Sequence, residues 1–361
     1  MNTIRDEVLA CLQLNRWHGV NQHQKKEAVI QLGSCLAAAK LTRSDWESLT
    51  TRKLSSKTLV SDCNIDLDLQ WLKRSGNHFI AMTDSHYPKE LLTLYDAPVG
   101  LFVGGDLAAL QTLQVAIVGS RRQTPLGRKI ARQFSQGLVQ SGLGVISGLA
   151  KGIDASAHQA CCDAGGQTIA VAGCGLDIIY PRENRALAHN VQKQGCIISE
   201  YPIGVPPKKE HFPARNRIIA AIALGVVVIE AAQRSGSLIT ARLAAEQGKE
   251  VFAIPGSILS SQSAGCHHLI QQGAVLAQSV EDVLLELRLP ITRELMSQKS
   301  PLEKGDLECE VLQSIAYEST RIEEVIASSS MDIQQLTQRL IELELDGLIA
   351  RAHNGDYFRI T

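Results

Sequence analysis

The sequence predicts an α/β protein: a mostly parallel sheet with helices on both faces, preceded by a helical segment and followed by a winged helix. Three observations carry this. From about residue 113 short apolar, β-branched runs alternate with helix-patterned segments. Before residue 80 apolar residues keep only helical spacing. After residue 305 three short helical patterns precede a hairpin signal.

In chain order, helix-like spacing occupies 7–14, 24–32, 45–49 and 67–74, broken by Gly19, Gly33 and Gly76. Gly19-Val20-Asn21 before a helix is a faint helix-hairpin-helix signal, and a plain helical bundle is the alternative. Residues 1–80 are therefore expected to form a small helical domain of the SAM or helix-hairpin-helix type, and 81–290 the sheet domain. Strands are expected at 115–118, 144–147, 168–172, 196–199, 226–229, 251–254 and 275–277. Helices are expected between them at 125–141, 153–164, 184–194, 217–224, 238–247 and 267–272. Short apolar strands joined by helical crossovers imply parallel pairing with both faces covered. A linker is expected at 291–304, where prolines, serines and mixed charges gather. Residues 305–361 read as the winged helix, with helices at 307–316, 322–326 and 332–345 and a hairpin turning at Asn354-Gly355.

Composition bounds the function. The 361 residues are 45% hydrophobic, enough for two or three packed domains. No apolar run reaches the 18 or so residues of a membrane span, and residues 1–13 lack a signal-peptide core, so a cytoplasmic protein without membrane contact is expected. Nine cysteines without a CxxC pair read as buried free thiols rather than disulfides or metal ligands. The net charge of −1 hides an asymmetry: residues 303–361 carry 12 acidic and 5 basic side chains, which leaves 25 acidic and 31 basic in the rest. A polyanion should prefer the body to the tail. The third helix of the tail offers Arg339 against Glu342, Glu344 and Asp346, so this module is expected to bind protein rather than phosphates.

Chemistry-bearing motifs are few. GxxxxGK[ST], GxSxG and HExxH are absent, and Gly173-Cys174-Gly175 lacks the third glycine of a dinucleotide fingerprint. No catalytic residue, cofactor or metal is expected. Donor-rich loops stand out instead. Gly119-Ser120-Arg121-Arg122 closes the first strand of the alternating region: glycine admits a phosphate close to the backbone, serine donates, and arginine supplies a charged fork. About 90 residues on, Phe212-Pro213-Ala214-Arg215-Asn216-Arg217 precedes an apolar helix, with Lys208, Lys209 and His211 upstream. Cations at a helix N-terminus suit an anion. Ligands of such sheets bind beyond the carboxyl ends of the strands, so the two clusters are expected to form one phosphate-binding trough. Lys151, Arg182 and Arg234, on neighbouring loops, are candidates for the same trough, and Tyr180 either stacks on a base or simply packs. Asp154 reads as a cap or a partner for an arginine, His158 as packed structure, Asn184 as a helix cap, and Glu200 and Glu230 as carboxylates orienting the arginines.

These loops, in this order, resemble the DprA/Smf family of DNA-processing proteins. The matching segments are 118–121, 147–154, 165–184, 199–202, 212–219, 230–241 and 251–256, spread over about residues 85–285. The resemblance implies an extended Rossmann-like core that binds single-stranded DNA without a nucleotide cofactor. It also implies proteins that protect incoming transforming DNA, help load the RecA recombinase and act as dimers. Carried over by motif, Arg121 and Lys209 would contact phosphates, Arg182 would hold another basic position in the same pocket, and Phe212 would stack on or wedge beside a base; Gly119, Ser120, Arg122, Lys151 and Arg234 are expected to bind DNA from the loops themselves. Arg215, Asn216 and Arg217 would line or brace the pocket. Leu238, Ala241, Ala244, Ala245, Leu269 and Ile270 match the family's self-association surface. His267 stands where the family usually has asparagine. The sheet is also similar to nucleotide phosphoribohydrolases, but their PGGxGTxxE loop is here Glu230-Ala231-Ala232-Gln233-Arg234-Ser235-Gly236, too poor in glycine for that chemistry.

Overall fold

The computed structural model describes residues 2–17, 19–50, 64–289, 310–317, 320–328, 331, 333–345, 347–352 and 355–360. The expected linker at 291–304, the start of the helix expected at 307, and Asn354 of the hairpin turn lie outside them. Among the described residues no helix is long and apolar enough to cross a membrane.

Five helices come first: α1 (Asn2–Arg16), α2 (Gln22–Leu32), α3 (Cys35–Ala39), α4 (Arg43–Thr50) and α5 (Asp66–Leu72). Asn21 and Gln24 form a reciprocal cap at the start of α2, and Gly33 ends it at φ 64°, a left-handed conformation that favours glycine. Val20 is buried, and the Asn21 side chain accepts from the Gln24 N–H at 2.9 Å. Trp17 and Trp46 meet edge to face at 6.0 Å in the helical core.

The sheet begins earlier than expected. β1 (Asn77–Ala81) and β2 (Gly100–Gly105) form an antiparallel pair, the first inside the stretch expected to be helical. Phe79, Ile80, Leu101, Phe102 and Val103 are their buried apolar runs. Then β3 (Gln114–Gly119), α6 (Pro125–Gln140), β4 (Gly144–Ser147), α7 (Ile153–Asp163), β5 (Thr168–Val171), α8 (Arg185–Gln194), β6 (Cys196–Ser199), α9 (His211–Ile222), β7 (Gly225–Ile229), α10 (Ser237–Glu246), β8 (Glu250–Ala253), α11 (Ala264–Gln271), β9 (Val275–Leu276) and α12 (Val280–Glu286) alternate. The seven strands from β3 to β9 fall where the apolar runs place them. Cys174 lies three residues past the end of β5.

The nine strands lie in the order β1-β2-β6-β5-β4-β3-β7-β8-β9, parallel throughout from β6 to β9. The chain steps from β3 outward to β6, then returns to lay β7 on the other side of β3. That reversal makes the β3/β7 junction the place where flanking loops part and a crevice opens. Side chains alternate along β3. Val115 and Ile117 join α6, α7 and α12 in one core, while Ala116 and Val118 join the core that contains α9, α10 and the N-terminal helices. The helical segment thus shares a continuous core with one face of the sheet; Asn15 of α1 donates to the Glu200 carbonyl, and the Cys11 thiol to that of Val99.

The C-terminal module comprises α13 (Glu310–Ser314), α14 (Ile322–Ser328), α15 (Ile333–Leu345) and the antiparallel pair β10 (Ile349–Arg351) and β11 (Tyr357–Arg359). It has its own core, in which Leu336, Leu340 and Leu343 of α15 meet Val311, Val325 and Ile349. On α15, Arg339 is 2.8 Å from Glu342. All seven cysteines among the described residues are free and buried.

Candidate nucleic-acid interface

The first turn of α9 is the centre of the site. The apolar run 218–222 places the helix, but α9 starts at His211, six residues before the expected boundary. Pro213 is its third residue, where a missing N–H has no intrahelical acceptor to lose. Arg215, Asn216 and Arg217 therefore stand inside the helix rather than ahead of it. At about 100° per residue, positions 215 and 217 point about 200° apart. Helical phase alone separates the two arginines.

A cavity of about 720 Å³ opens at the β3/β7 junction. Gly119, Ser120, Arg121 and Arg122 come to it from the end of β3, Lys209, Phe212, Arg215 and Asn216 from the start of α9, and Arg234 from the loop after β7. Arg121 and Lys209, 88 positions apart in the chain, wall the same trough. Gly119 is required there, because a Cβ would lie 1.8 Å from the Ile229 carbonyl. Ser120 is buried and its hydroxyl accepts from the Arg122 N–H at 3.1 Å, which fixes the turn. Gly152, at φ 81°, allows α7 to begin against that turn; a Cβ would sit 2.2 Å from the Ser120 carbonyl.

Among the described residues Arg121, Arg122, Lys209 and Arg234 meet no carboxylate, and all four are exposed. The Phe212 ring is half-buried. The Arg121 guanidinium lies 5.9 Å from its centroid, and the Tyr180 ring 5.3 Å away on a neighbouring loop. Tyr180, 48% exposed, is the more open of the two rings. Cations and two aromatic rings on one wall can hold phosphates and lend a face to a base.

Arg215 has a different part. It is 5% exposed, and its guanidinium donates to the Gly148 carbonyl at 2.8 Å, to the Val171 carbonyl and to Asn216 Oδ1 at 2.9 Å. Burial lowers its pKa to about 10, with Asp154 opposing the shift and Arg121 adding to it. Asp154, buried at the start of α7, accepts from the Gly148 and Ala150 N–H groups. Its pKa is raised by burial, which outweighs the neighbouring Arg215 and the two N–H donors. Arg215 and Asp154 together tie the loop after β4 to the end of β5 beneath the trough.

Three expected members lie elsewhere. Arg217 leaves the trough altogether: its Nη2 is 2.6 Å from Glu200 and its Nε 3.0 Å from Asp96. Lys151 is 2.5 Å from Glu183, both exposed, and neither Lys151 nor Arg182 walls the cavity. Glu230, expected to orient an arginine, instead holds Thr124, the N-cap of α6, by accepting from its N–H at 2.9 Å and from its hydroxyl. The Asn184 side chain does not cap α8; it donates to the Leu149 and Ala150 carbonyls at 2.8 and 3.2 Å. His158 is fully buried, and its Nδ1 donates to the Thr168 hydroxyl at 2.7 Å, because that hydroxyl gives its own proton to the Val145 carbonyl. His267 sits 3.0 Å from the Gly256 carbonyl and ties the loop after β8 to α11. Of the expected self-association residues, Ala241, Ala244 and Leu269 are buried within this chain, so only Leu238, Ala245 and Ile270 keep surface. No cluster of metal-ligating side chains occurs among the described residues.

Known proteins are similar to this chain in sequence and fold. The family model of DNA recombination-mediator protein A matches residues 78–288, and that of the DprA winged helix domain matches 297–355. Protein Smf of Escherichia coli is 42% identical over 306 residues, which span 82% of this chain and 81% of that protein. DNA processing protein DprA of Streptococcus pneumoniae is 52% identical over 206 residues, 57% of this chain and 73% of its own. The X-ray structure of the pneumococcal DprA superposes with a TM-score of 0.66 at 40% identity and covers 78% of this chain and 97% of that one. A structure of DNA processing protein A from Helicobacter pylori, concerned with that protein's single-stranded DNA binding mode, superposes with a TM-score of 0.54 at 32% identity, covering 59% and 95%.

Proposed function

This chain belongs to the DNA recombination-mediator protein A family, the DprA/Smf proteins, and we propose that it binds single-stranded DNA without regard to sequence, protects it, and hands it to the RecA recombinase. The convergence of Arg121 and Lys209 on one open trough, free of carboxylate partners among the described residues, carries the reading. The single-strand binding of the Helicobacter pylori relative supports it. Backbone charge is gripped by Arg121, Arg122, Lys209 and Arg234, while Tyr180 and Phe212 meet the bases. Duplex DNA keeps its bases stacked inside, so it gains the charge contacts alone. The protein acts without catalysis or cofactor, as a cytoplasmic homodimer. Its modules are a helical segment ahead of β1, a binding body from β1 to about residue 290, a linker over 291–304 and a winged helix over 305–361 that docks protein.

The test is a titration of homopolymer single strands and blunt duplex at two ionic strengths. With four or five phosphates neutralised, log K falls with log salt at a slope of roughly −3, about 0.7 per phosphate. Arg121→Ala and Lys209→Ala each weaken binding to every sequence and flatten that slope by about 0.7. Phe212→Ala removes about 1–3 kcal/mol of single-strand affinity and little of duplex affinity. Salt-resistant, tight binding by the Arg121→Ala/Lys209→Ala double variant would show that the strand lies elsewhere. RecA filament formation on strands coated with this protein then separates a mediator from a simple binder.

A further inference from the structure

We propose that the single-strand path does not end at the trough but crosses the first turn of α9 into a second cleft, where Lys208 holds one phosphate at the lip and a base enters between the N-terminal helices and the sheet. The proposal rests on the single-strand reading of the trough. The second cleft measures about 1010 Å³ and shares Pro213 and Ile239 with the trough as common walls. The residues Lys208 and Lys209 are consecutive, yet Lys208 borders this cleft and Lys209 the trough. Both are exposed and neither meets a carboxylate among the described residues. They stand just ahead of the N-terminus of the 12-residue α9, Lys208 on the side of the cleft and Lys209 on the side of the trough.

The interior of the cleft suits a base better than a run of phosphates. Its acids, Asp96 and Glu200, are both held by Arg217, its Arg16 and Arg242 pair with Asp68 and Glu246, and the Lys25 ammonium donates to the Asn15 and Trp17 carbonyls, so among the described residues Lys208 is the cation of the lining left for a phosphate. Tyr201 and His211 are stacked in its wall at 4.1 Å. Unpartnered buried polar atoms gather on the residues around it: the donors Trp17 Nε1 and Arg217 Nη1, and the acceptors Asn15 Oδ1 and Gln22 Oε1. Asn15, Trp17 and Arg217 are each more than nine-tenths buried. A nucleobase edge carries donors and acceptors together and an aromatic face, the complement of such a lining.

The experiment titrates the full-length protein with oligothymidylates stepped from about four to about sixteen nucleotides, comparing wild type, Lys208→Ala and Lys209→Ala. Release of about 0.7 counterion per phosphate is worth about fivefold in affinity at roughly 0.1 M salt. Lys209→Ala is expected to lose about that factor at every length. Lys208→Ala is expected to match wild type on the shortest strands and to lose about fivefold, with a slope flatter by about 0.7, once strands are long enough to cross the first turn of α9. A Lys208→Ala variant that equals wild type at all lengths, or that loses the same factor at all lengths, overturns the second cleft and leaves the trough intact. Failure of the wild type to bind any length overturns the trough reading and the cleft with it.

Discussion

Removing Arg217 separates structure from binding in a single variant. The side chain is 9% exposed and joins Glu200, itself 5% exposed, to Asp96 at distances of 2.6 and 3.0 Å. Arg217→Ala leaves the Glu200 carboxylate buried without a partner, a change that costs about 3–5 kcal/mol when such a pair is broken from one side. For a body of this size that lowers the unfolding midpoint by about 10 °C. The pH dependence has a defined sign. Burial already raises the Glu200 pKa, with Arg217 opposing the shift; without Arg217 it rises further. A carboxylate whose folded pKa is raised loses its stabilising contribution as pH climbs through that value. The deficit of Arg217→Ala relative to wild type is thus largest near neutrality and shrinks as Glu200 takes a proton in mild acid. Adding Glu200→Gln recovers part of the loss at neutral pH. Urea denaturation of the three proteins at both pH values measures this, and a single-strand titration of the folded variant measures binding. Wild-type stability with weakened affinity for strands too short to cross into the second cleft would refute the reasoning and return Arg217 to the trough.

Two further outcomes are expected. Gly152→Ala puts a Cβ 2.2 Å from the Ser120 carbonyl at φ 81°, and backbone on both sides cannot give way; the variant is destabilised by about 1–3 kcal/mol in thermal unfolding, and strand affinity falls because the Ser120–Arg122 turn moves. His158 is held neutral by burial, with its pKa lowered to about 3. Its NMR signals therefore stay fixed between about pH 5 and 8, and because the unfolded chain takes up a proton below about 6.5 that the folded one refuses, stability is intact above that pH and declines as pH drops toward 3. An imidazole that titrates near its ordinary value would show that it is solvated.

The seven strands from β3 to β9 are legible in the sequence because a parallel strand buried on both faces must be a continuous apolar run, and such runs as Val226-Val227-Val228-Ile229 have no other simple reading. The trough is legible for a related reason. Parallel crossovers put every loop after a strand at the same edge, so donors after β3 and before α9 have to approach one another. Residues 77–105 carry a weaker signal: two five- or six-residue strands paired antiparallel at the sheet edge, with polar Asn77 and His78 opening the first. Their short apolar runs, 79–82 shortly after Gly76 and 101–103 between Gly100 and Gly104, could have revealed them.

Sequence alone determined which residue types gather near the trough; tertiary structure decided which of them remain available to a ligand. Arg121, Arg215 and Arg217 are the same side chain in similar local company, yet one is open, one is spent on the Gly148 and Val171 carbonyls, and one is bound to Asp96 and Glu200. The partners of the last two lie between 17 and 121 positions away. The physical reason is that a guanidinium's fate depends on the phase of its helix and on acceptors brought up by distant strands, neither of which leaves a mark in the neighbouring residues.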